Sequence, residues 1–203
     1  MPDNDYGCGS RDYLRRSREL LDSGCSEALF HAAFELRCGI ESRMQEYLEV
    51  AADFSKKRKQ GWRIAELGKN IERAFKLADK IVQLTFHGTE GKAVKIYHTP
   101  VQAQLRKQAQ QLGDYLHAMK RYRGSEDPWW ISFKCLLDET CEGLAVATRG
   151  TLLGPLLIGP DGKSTKINHE LEIDAEADEM MIAFGREGNV INVTIAYLAH
   201  FPS

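Results

Sequence analysis

Residues 11–48 read RDYLRRSRELLDSGCSEALFHAAFELRCGIESRMQEYL, and this stretch decides the fold more than any other. Gly24 divides it, and glycine commonly ends a helix because it adopts the left-handed conformation without steric cost. The pattern therefore predicts two consecutive helices. The first covers about 11–22 with Ser10 as its N-cap, and the second covers about 26–57.

The second predicted helix carries apolar side chains on two different faces. One face is lined, at steps of three and four, by Leu29, Ala33, Leu36, Ile40, Met44, Tyr47 and Ala51. The other face carries Phe30, Phe34, Arg37, Glu41 and Leu48. A helix that is apolar around much of its circumference is normally buried. We therefore expect it to lie at the centre of a bundle, with Arg37 and Glu41 largely withdrawn from water.

Three further helices are predicted downstream. One covers about 62–86 and is followed by a loop over 87–98. The next covers about 99–124 and the last about 127–150. Each of these two begins with a capping residue followed by proline, which is favoured at the first helical position.

The sequence changes character at residue 151. A Pro-Asp-Gly turn at 160–162 separates two candidate strands, and a second candidate pair, 178–185 and 189–201, follows. The predicted fold class is α+β, mainly α: an antiparallel five-helix bundle over 1–150 with a small antiparallel β-sheet over 151–203 packed on it.

The composition is that of a soluble globular protein. The chain has 203 residues, of which 43% are hydrophobic and 28% charged, with a net charge of −2. The N-terminal segment lacks the layout of a signal peptide, and the apolar stretch 143–159 is interrupted by Arg149 and several glycines. Five cysteines without a CxxC pair indicate reduced thiols, so we expect a cytoplasmic protein.

Charge is distributed unevenly along the chain. Residues 50–123 contain 16 Lys/Arg against 6 Asp/Glu, an excess of +10, whereas residues 151–203 contain 3 against 8, an excess of −5. A basic region can attract a phosphate backbone, and aromatic side chains can stack on bases. The candidate nucleic-acid-binding residues are Lys56, Lys57, Arg58, Lys59, Trp62, Lys120, Arg121 and Arg123, with His98 and His117 beside them. The alternative is a solvated helix surface whose terminal cations complement the helix dipole.

The order of residues over 11–48 resembles the start of HEPN domains. The likeness is carried by Tyr13, Leu14, Leu20, Leu21, Gly24, Ala32, Ala33, Glu35, Leu36, Arg37, Ile40 and Glu41. This family consists of antiparallel helical bundles that are often found in bacterial toxin–antitoxin and phage-defence proteins. Its ribonuclease members carry an arginine followed four to six residues later by a histidine, a spacing that this chain lacks. The resemblance therefore implies a non-catalytic member.

Four residues of the second helix are candidates for binding a ligand or partner. Arg37 and Glu41 are four residues apart, so they can pair along the helix, either as a structural ion pair or as a polar centre facing a ligand. His31 and Glu35 lie on one side with Cys38, at spacings that could hold a metal. A metal site needs a further ligand, which nothing in the sequence marks, so we predict neither a metal nor a cofactor.

No phosphate loop, nucleophile elbow or zinc-protease motif is present, and we predict no catalytic residue. The leading hypothesis is a non-catalytic interaction module of a bacterial cytoplasmic protein, homodimeric through the second face of the central helix and linked to phage defence or a toxin–antitoxin pair. One alternative is an RNA-binding or RNA-cleaving protein that uses the basic 50–123 region. The other is a small-ligand-binding protein.

Overall fold

The computed structural model describes residues 6–50, 63–75, 77–88, 93–117, 122–154 and 190–202. It contains five helices and a small three-stranded antiparallel sheet within these ranges, which confirms the predicted α+β, mainly α, class. The helices are α1 (Ser10–Ser23), α2 (Ser26–Val50), α3 (Ile64–Phe75), α4 (Ala103–Tyr115) and α5 (Trp129–Arg149). The strands are β1 (Ile81–Gly88), β2 (Ala93–His98) and β3 (Val190–Leu198).

The sheet has the strand order β2-β1-β3, and both pairings are antiparallel. Alternate residues of β1 and β2 form its core together with Leu152: Val82, Leu84, Phe86, Val94 and Ile96. The central β1 strand has buried residues on its other face as well, since Ile81 and Thr85 are buried, while Gln83 and His87 on that face are half-buried.

The prediction of one helix over 62–86 is wrong in its C-terminal part. The helix ends at Phe75, and residues from Ile81 onward form β1. The predicted loop over 87–98 is also wrong in part, because β2 begins at Ala93. Residues Ile81 and Val82 are β-branched and fit a pleated, buried surface better than a helix.

Two predicted helix starts also differ from the structure. The helix expected at Thr99–Pro100 begins at Ala103, with Gln102 as its N-cap. The first helix is capped by Gly9, whose backbone N–H donates to Asp12 Oδ2 at 3.2 Å, so Ser10 lies inside the helix. By contrast, the last helix begins as predicted, because Asp127 Oδ1 accepts the backbone N–H of Trp129 at 2.9 Å.

The chain divides into two compact units, Met1–Ala74 with Val101–Thr148, and Phe75–Pro100 with Arg149–Ser203. The helices make up the first unit and the strands belong to the second. The hairpin of β1 and β2 is thus an insertion within the run of helices, which the boundary predicted at residue 150 did not include. Of the predicted C-terminal strands, 189–201 is represented by β3. Only residues 152–154 of the first are described, where the Leu152 N–H donates to the Tyr97 carbonyl at 2.9 Å, and the other two lie outside the described residues.

Helix α2 is the central element of the first unit, and α1 and α4 both pack against it. Its first predicted face is buried at every described position: Leu29, Ala33, Leu36, Ile40, Met44 and Tyr47. Burial of this kind contributes about 1.5–3 kcal/mol for each large aliphatic side chain. Phe30, on the second face, packs against the rings of Trp129, Trp130 and Phe133 at centroid distances of 5.3–6.3 Å.

Candidate docking surface on the central helix

The second face of α2 is covered along most of its length but open at Phe34. The side chain of Phe34 is 50% exposed, whereas Phe30 is half-buried and Leu48 is fully buried. A single exposed apolar side chain is common on a protein surface, and it indicates a binding site only where it adjoins further apolar or concave surface. Phe34 also lines two separate clefts, one on each side of the helix. We call Phe34 and these two clefts the Phe34 surface.

The larger cleft lies between α2 and α4 and has a volume of about 670 Å³. This α2–α4 cleft has an apolar part, formed by Phe34, Ile64, Ala65 and Leu116. Its polar and titratable lining comprises Arg37, Cys38, Glu41, Arg63, Gln110, Asp114 and His117. A concave, mainly apolar site with a few convergent polar groups is the usual form of a binding pocket.

Arg37 and Glu41 are paired along α2, as their spacing predicted. Arg37 Nη2 lies 3.4 Å from Glu41 Oε1, and Arg37 Nη1 donates to the carbonyl of Ala109 at 3.2 Å. Their side chains are 19% and 18% exposed, so both are largely withdrawn from water and both line the cleft. Burial raises the pKa of Glu41, and the nearby Arg37 guanidinium counteracts this rise only in part.

Glycine at position 113 allows this arrangement. A Cβ at Gly113 would lie 2.3 Å from Arg37 Nη1, which is far inside van der Waals contact. The guanidinium therefore lies directly against the α4 backbone, where it reaches the Ala109 carbonyl. Any larger residue at this position would displace Arg37 from α4.

The thiol of Cys38 also lines the α2–α4 cleft but is not activated. Burial, followed by the charges of Glu41 and Glu35, raises its pKa to about 11. The nucleophilic form of cysteine is the thiolate, so this thiol is protonated and unreactive near neutral pH. The residues of the cleft thus fit binding better than covalent catalysis.

The smaller cleft lies between α1 and α2 and has a volume of about 450 Å³. At its base, Glu35 is buried and accepts hydrogen bonds from Arg16 Nε at 2.7 Å and from Tyr6 Oη at 2.9 Å. The Arg16 guanidinium lies over the rings of Tyr6 and Tyr13, 4.0 and 4.6 Å from their centroids. It also donates to the Gly7 carbonyl at 2.8 Å, which ties the N-terminal segment to α1.

The trio His31, Glu35 and Cys38 is not assembled as a metal site. His31 is exposed at the α1–α2 cleft, Cys38 faces the α2–α4 cleft, and both Glu35 oxygens accept hydrogen bonds from Arg16 and Tyr6. Across the described ranges, no group of three or more histidine, cysteine, aspartate or glutamate side chains is placed to hold a metal ion.

Most of the predicted nucleic-acid-binding residues lie outside the described residues, namely Lys56, Lys57, Arg58, Lys59, Trp62, Lys120 and Arg121. Arg123 is described, and it pairs with Asp127 at 3.2 Å and stacks over Trp129 at 4.3 Å. His98 is buried, with Nδ1 3.1 Å from the Leu152 carbonyl oxygen, so the expectation that it forms part of a stacking edge is wrong.

Two arginines that the sequence pattern did not mark, Arg16 and Arg43, hold the first unit together. Arg43 is fully buried: its Nε donates to Tyr47 Oη at 2.9 Å and to the Ala147 carbonyl at 3.0 Å, and its Nη1 donates to Glu46 Oε2 at 2.8 Å. Arg16 is the second. The i, i+4 spacing of Arg43 and Tyr47 could have predicted their contact. The hydrogen bond to Ala147 spans 104 positions, so no local sequence pattern predicts it.

In the part of the chain that the structure describes, no helix has the length and apolar character needed to cross a membrane. No protein-family model matches the chain, and neither does any curated protein or solved structure. The resemblance to HEPN domains therefore depends on the residues quoted above and stays a prediction.

Proposed function

We propose that the protein is a non-catalytic interaction module that binds a protein partner through the Phe34 surface. One observation carries this proposal: the aromatic side chain of Phe34 is left 50% exposed on the central helix, between two clefts that it helps to line. An exposed aromatic beside concave apolar surface is typical of the centre of a protein interface.

The state of the polar groups supports binding rather than catalysis. Each oxygen of Glu35 accepts a hydrogen bond, one from Arg16 and one from Tyr6, and Arg37 is shared between Glu41 and a backbone carbonyl. The Cys38 thiol is protonated near neutral pH because its pKa is raised to about 11. A general base or an activated nucleophile needs a group free to exchange a proton near the working pH.

The resemblance to HEPN domains gives this proposal its biological setting. We propose a bacterial cytoplasmic protein linked to phage defence or to a toxin–antitoxin pair, and a second copy of the chain as the first partner to test. Isologous dimers are the commonest assemblies of soluble proteins, and they need one self-complementary patch. The five cysteines without a CxxC pair support a reducing compartment.

Sedimentation velocity over a range of concentrations tests this proposal, with Phe34→Asp compared against Ile131→Asp. Ile131 is a matched control because it is 71% exposed on α5 and lines neither cleft. We expect the wild-type protein to dimerise, and Phe34→Asp to weaken the dimer by about tenfold or more, since a charge at an interface centre must be desolvated. Ile131→Asp should dimerise like the wild type. A strictly monomeric wild type, or equal dimerisation by both variants, contradicts the proposal.

A further inference from the structure

The α2–α4 cleft contains a carboxylate with unused hydrogen-bonding capacity. The contact from Arg37 Nη2 to Glu41 Oε1 is 3.4 Å, whereas the Arg16–Glu35 and Arg43–Glu46 pairs in the same helical unit measure 2.7 and 2.8 Å. Charge-assisted hydrogen bonds normally measure 2.7–2.9 Å, so the Arg37–Glu41 contact is loose. An ionised carboxylate can accept about four hydrogen bonds. Glu41 therefore has one long contact with a protein cation, and the rest of its acceptor capacity is directed to the cleft and to solvent.

Arg37 cannot easily close this gap. Its Nη1 donates to the Ala109 carbonyl, and its guanidinium lies against Gly113 on α4. The guanidinium is therefore held at the α4 backbone, and the Glu41 carboxylate faces the cleft with few hydrogen-bond donors from the protein around it.

The cleft lining carries the cations Arg37 and Arg63 as well as two carboxylates, so the site fits a ligand whose positive end reaches Glu41 and whose body is apolar. Asp114 adds a second, exposed carboxylate to the lining. Phe34, Ile64 and Leu116 supply the apolar wall, and an aromatic face also attracts a cation. The cleft volume of about 670 Å³ lies within the range of small-molecule pockets.

We propose that the α2–α4 cleft binds an alkylammonium group attached to an apolar body, with Glu41 as its main hydrogen-bond acceptor and Phe34 and Leu116 as its apolar contacts. This inference rests on the proposed function and deepens it: the partner is a polypeptide that inserts a lysine-type side chain beside an apolar one. A bound ammonium group would replace part of the hydration that the Glu41 carboxylate loses on burial.

Electrostatics agree with this assignment. Burial raises the pKa of Glu41, and the charge of Arg37 opposes this rise only in part, so the ionised carboxylate is less stabilised in the cleft than in bulk water. A second positive charge near Glu41 would favour the ionised form. Binding of an ammonium group and ionisation of Glu41 should therefore promote each other.

Three small probes of similar shape test the inference by NMR titration of the full-length protein: 2-phenylethylammonium, neutral 3-phenylpropan-1-ol and anionic 3-phenylpropionate. We expect the ammonium probe to bind at least about fivefold more tightly than the propionate, and to shift resonances of Phe34 and Leu116. Binding of the propionate as tightly as the ammonium, or binding of no probe at millimolar concentration, would overturn the inference.

Glu41→Gln and Glu19→Gln separate the acceptor from a general charge effect. Both remove one negative charge, but Glu19 lines the α1–α2 cleft and is itself exposed. Glu41→Gln should abolish the preference for ammonium, and Glu19→Gln should retain it. An ammonium preference that survives in Glu41→Gln contradicts the assignment. If Glu41→Gln does not fold, the three-probe comparison on the wild type still decides.

The probes also separate this inference from the proposed function. They test the cleft without any partner, so ammonium binding can succeed when dimerisation fails. Conversely, if the protein forms a Phe34-dependent dimer but binds none of the three probes, the proposed interaction module is retained and the proposed cation site is rejected.

Discussion

Arg43 and Arg37 occupy the same helix, six positions apart, and their surroundings differ in a way that separates structure from binding. Arg43 is fully buried, and its guanidinium makes hydrogen bonds of 2.8–3.0 Å to Glu46, Tyr47 and the Ala147 carbonyl. Arg37 is 19% exposed, and its contacts measure 3.2 and 3.4 Å at the edge of an open cleft.

Two charged residues on one helix thus have different physical roles. A buried charge is tolerated only when short hydrogen bonds replace its hydration, so Arg43 reads as a structural residue that joins α2 to the C-terminal end of α5. Loose contacts around a partly solvated pair leave room for a further ligand. We therefore expect ligand binding at the Arg37–Glu41 pair and a contribution to folding stability from the Arg43 network.

The largest expected effect follows from breaking the Arg43 network. Arg43→Met should reduce the free energy of unfolding by about 3–5 kcal/mol, because it leaves a buried tyrosine hydroxyl and the Glu46 carboxylate without their cation. Urea denaturation measures this change. The matched control is Arg15→Met, whose side chain is 60% exposed and pairs with Glu19 on the surface. A cost for Arg43→Met equal to that of the control would remove the structural role.

This network also marks the limit of what the sequence predicted. The burial of Leu36, Ile40 and Met44 followed from their spacing on α2, because helical periodicity is a local property. The partner of Arg43 on α5 could not be predicted in this way. Its acceptor is a backbone carbonyl that any residue type supplies, far away in the chain.

Strand β1 shows a different reason for failure. A strand that is exposed on one face alternates between apolar and polar residues, but β1 has buried residues on both faces: Ile81, Val82, Leu84 and Thr85 are all buried. Its short apolar run then fits a helical stripe as well as a strand. The arrangement of the Phe34 surface was likewise predicted only in part: Arg37 and Glu41 followed from their spacing, whereas Leu116 required the fold.

A smaller effect is expected at the looser pair. Arg37→Ala should reduce the free energy of unfolding by about 1–2 kcal/mol, since it leaves Glu41 partly buried without its cation and removes the hydrogen bond to Ala109. Arg15→Ala, at an exposed pair, should cost less than about 0.5 kcal/mol. Thermal unfolding of both variants gives the comparison, and equal melting temperatures would show that the Arg37–Glu41 pair is as solvated as a surface pair.

The smallest effect is the pH dependence of Glu41→Gln, and its sign is the informative part. Burial raises the pKa of folded Glu41 above its ordinary value of 4.5, so folding favours the protonated carboxyl. At a pH below the ordinary pKa, the carboxyl is protonated in both the folded and the unfolded state, so the wild type loses no stability. As the pH rises through the window between the ordinary and the raised pKa, the unfolded chain ionises first and the wild type loses stability.

Glutamine cannot ionise, so the stability of Glu41→Gln relative to the wild type should increase across that window and then remain constant to pH 7. Because the carboxylate keeps some contact with water, we expect a gain of less than about 1 kcal/mol. Urea midpoints of both proteins between pH 4 and pH 7 measure it, with Glu19→Gln as the exposed control. A relative stability that falls as the pH rises would mean that ionised Glu41 is already fully compensated by Arg37, which would make this pair a second structural network like that of Arg43.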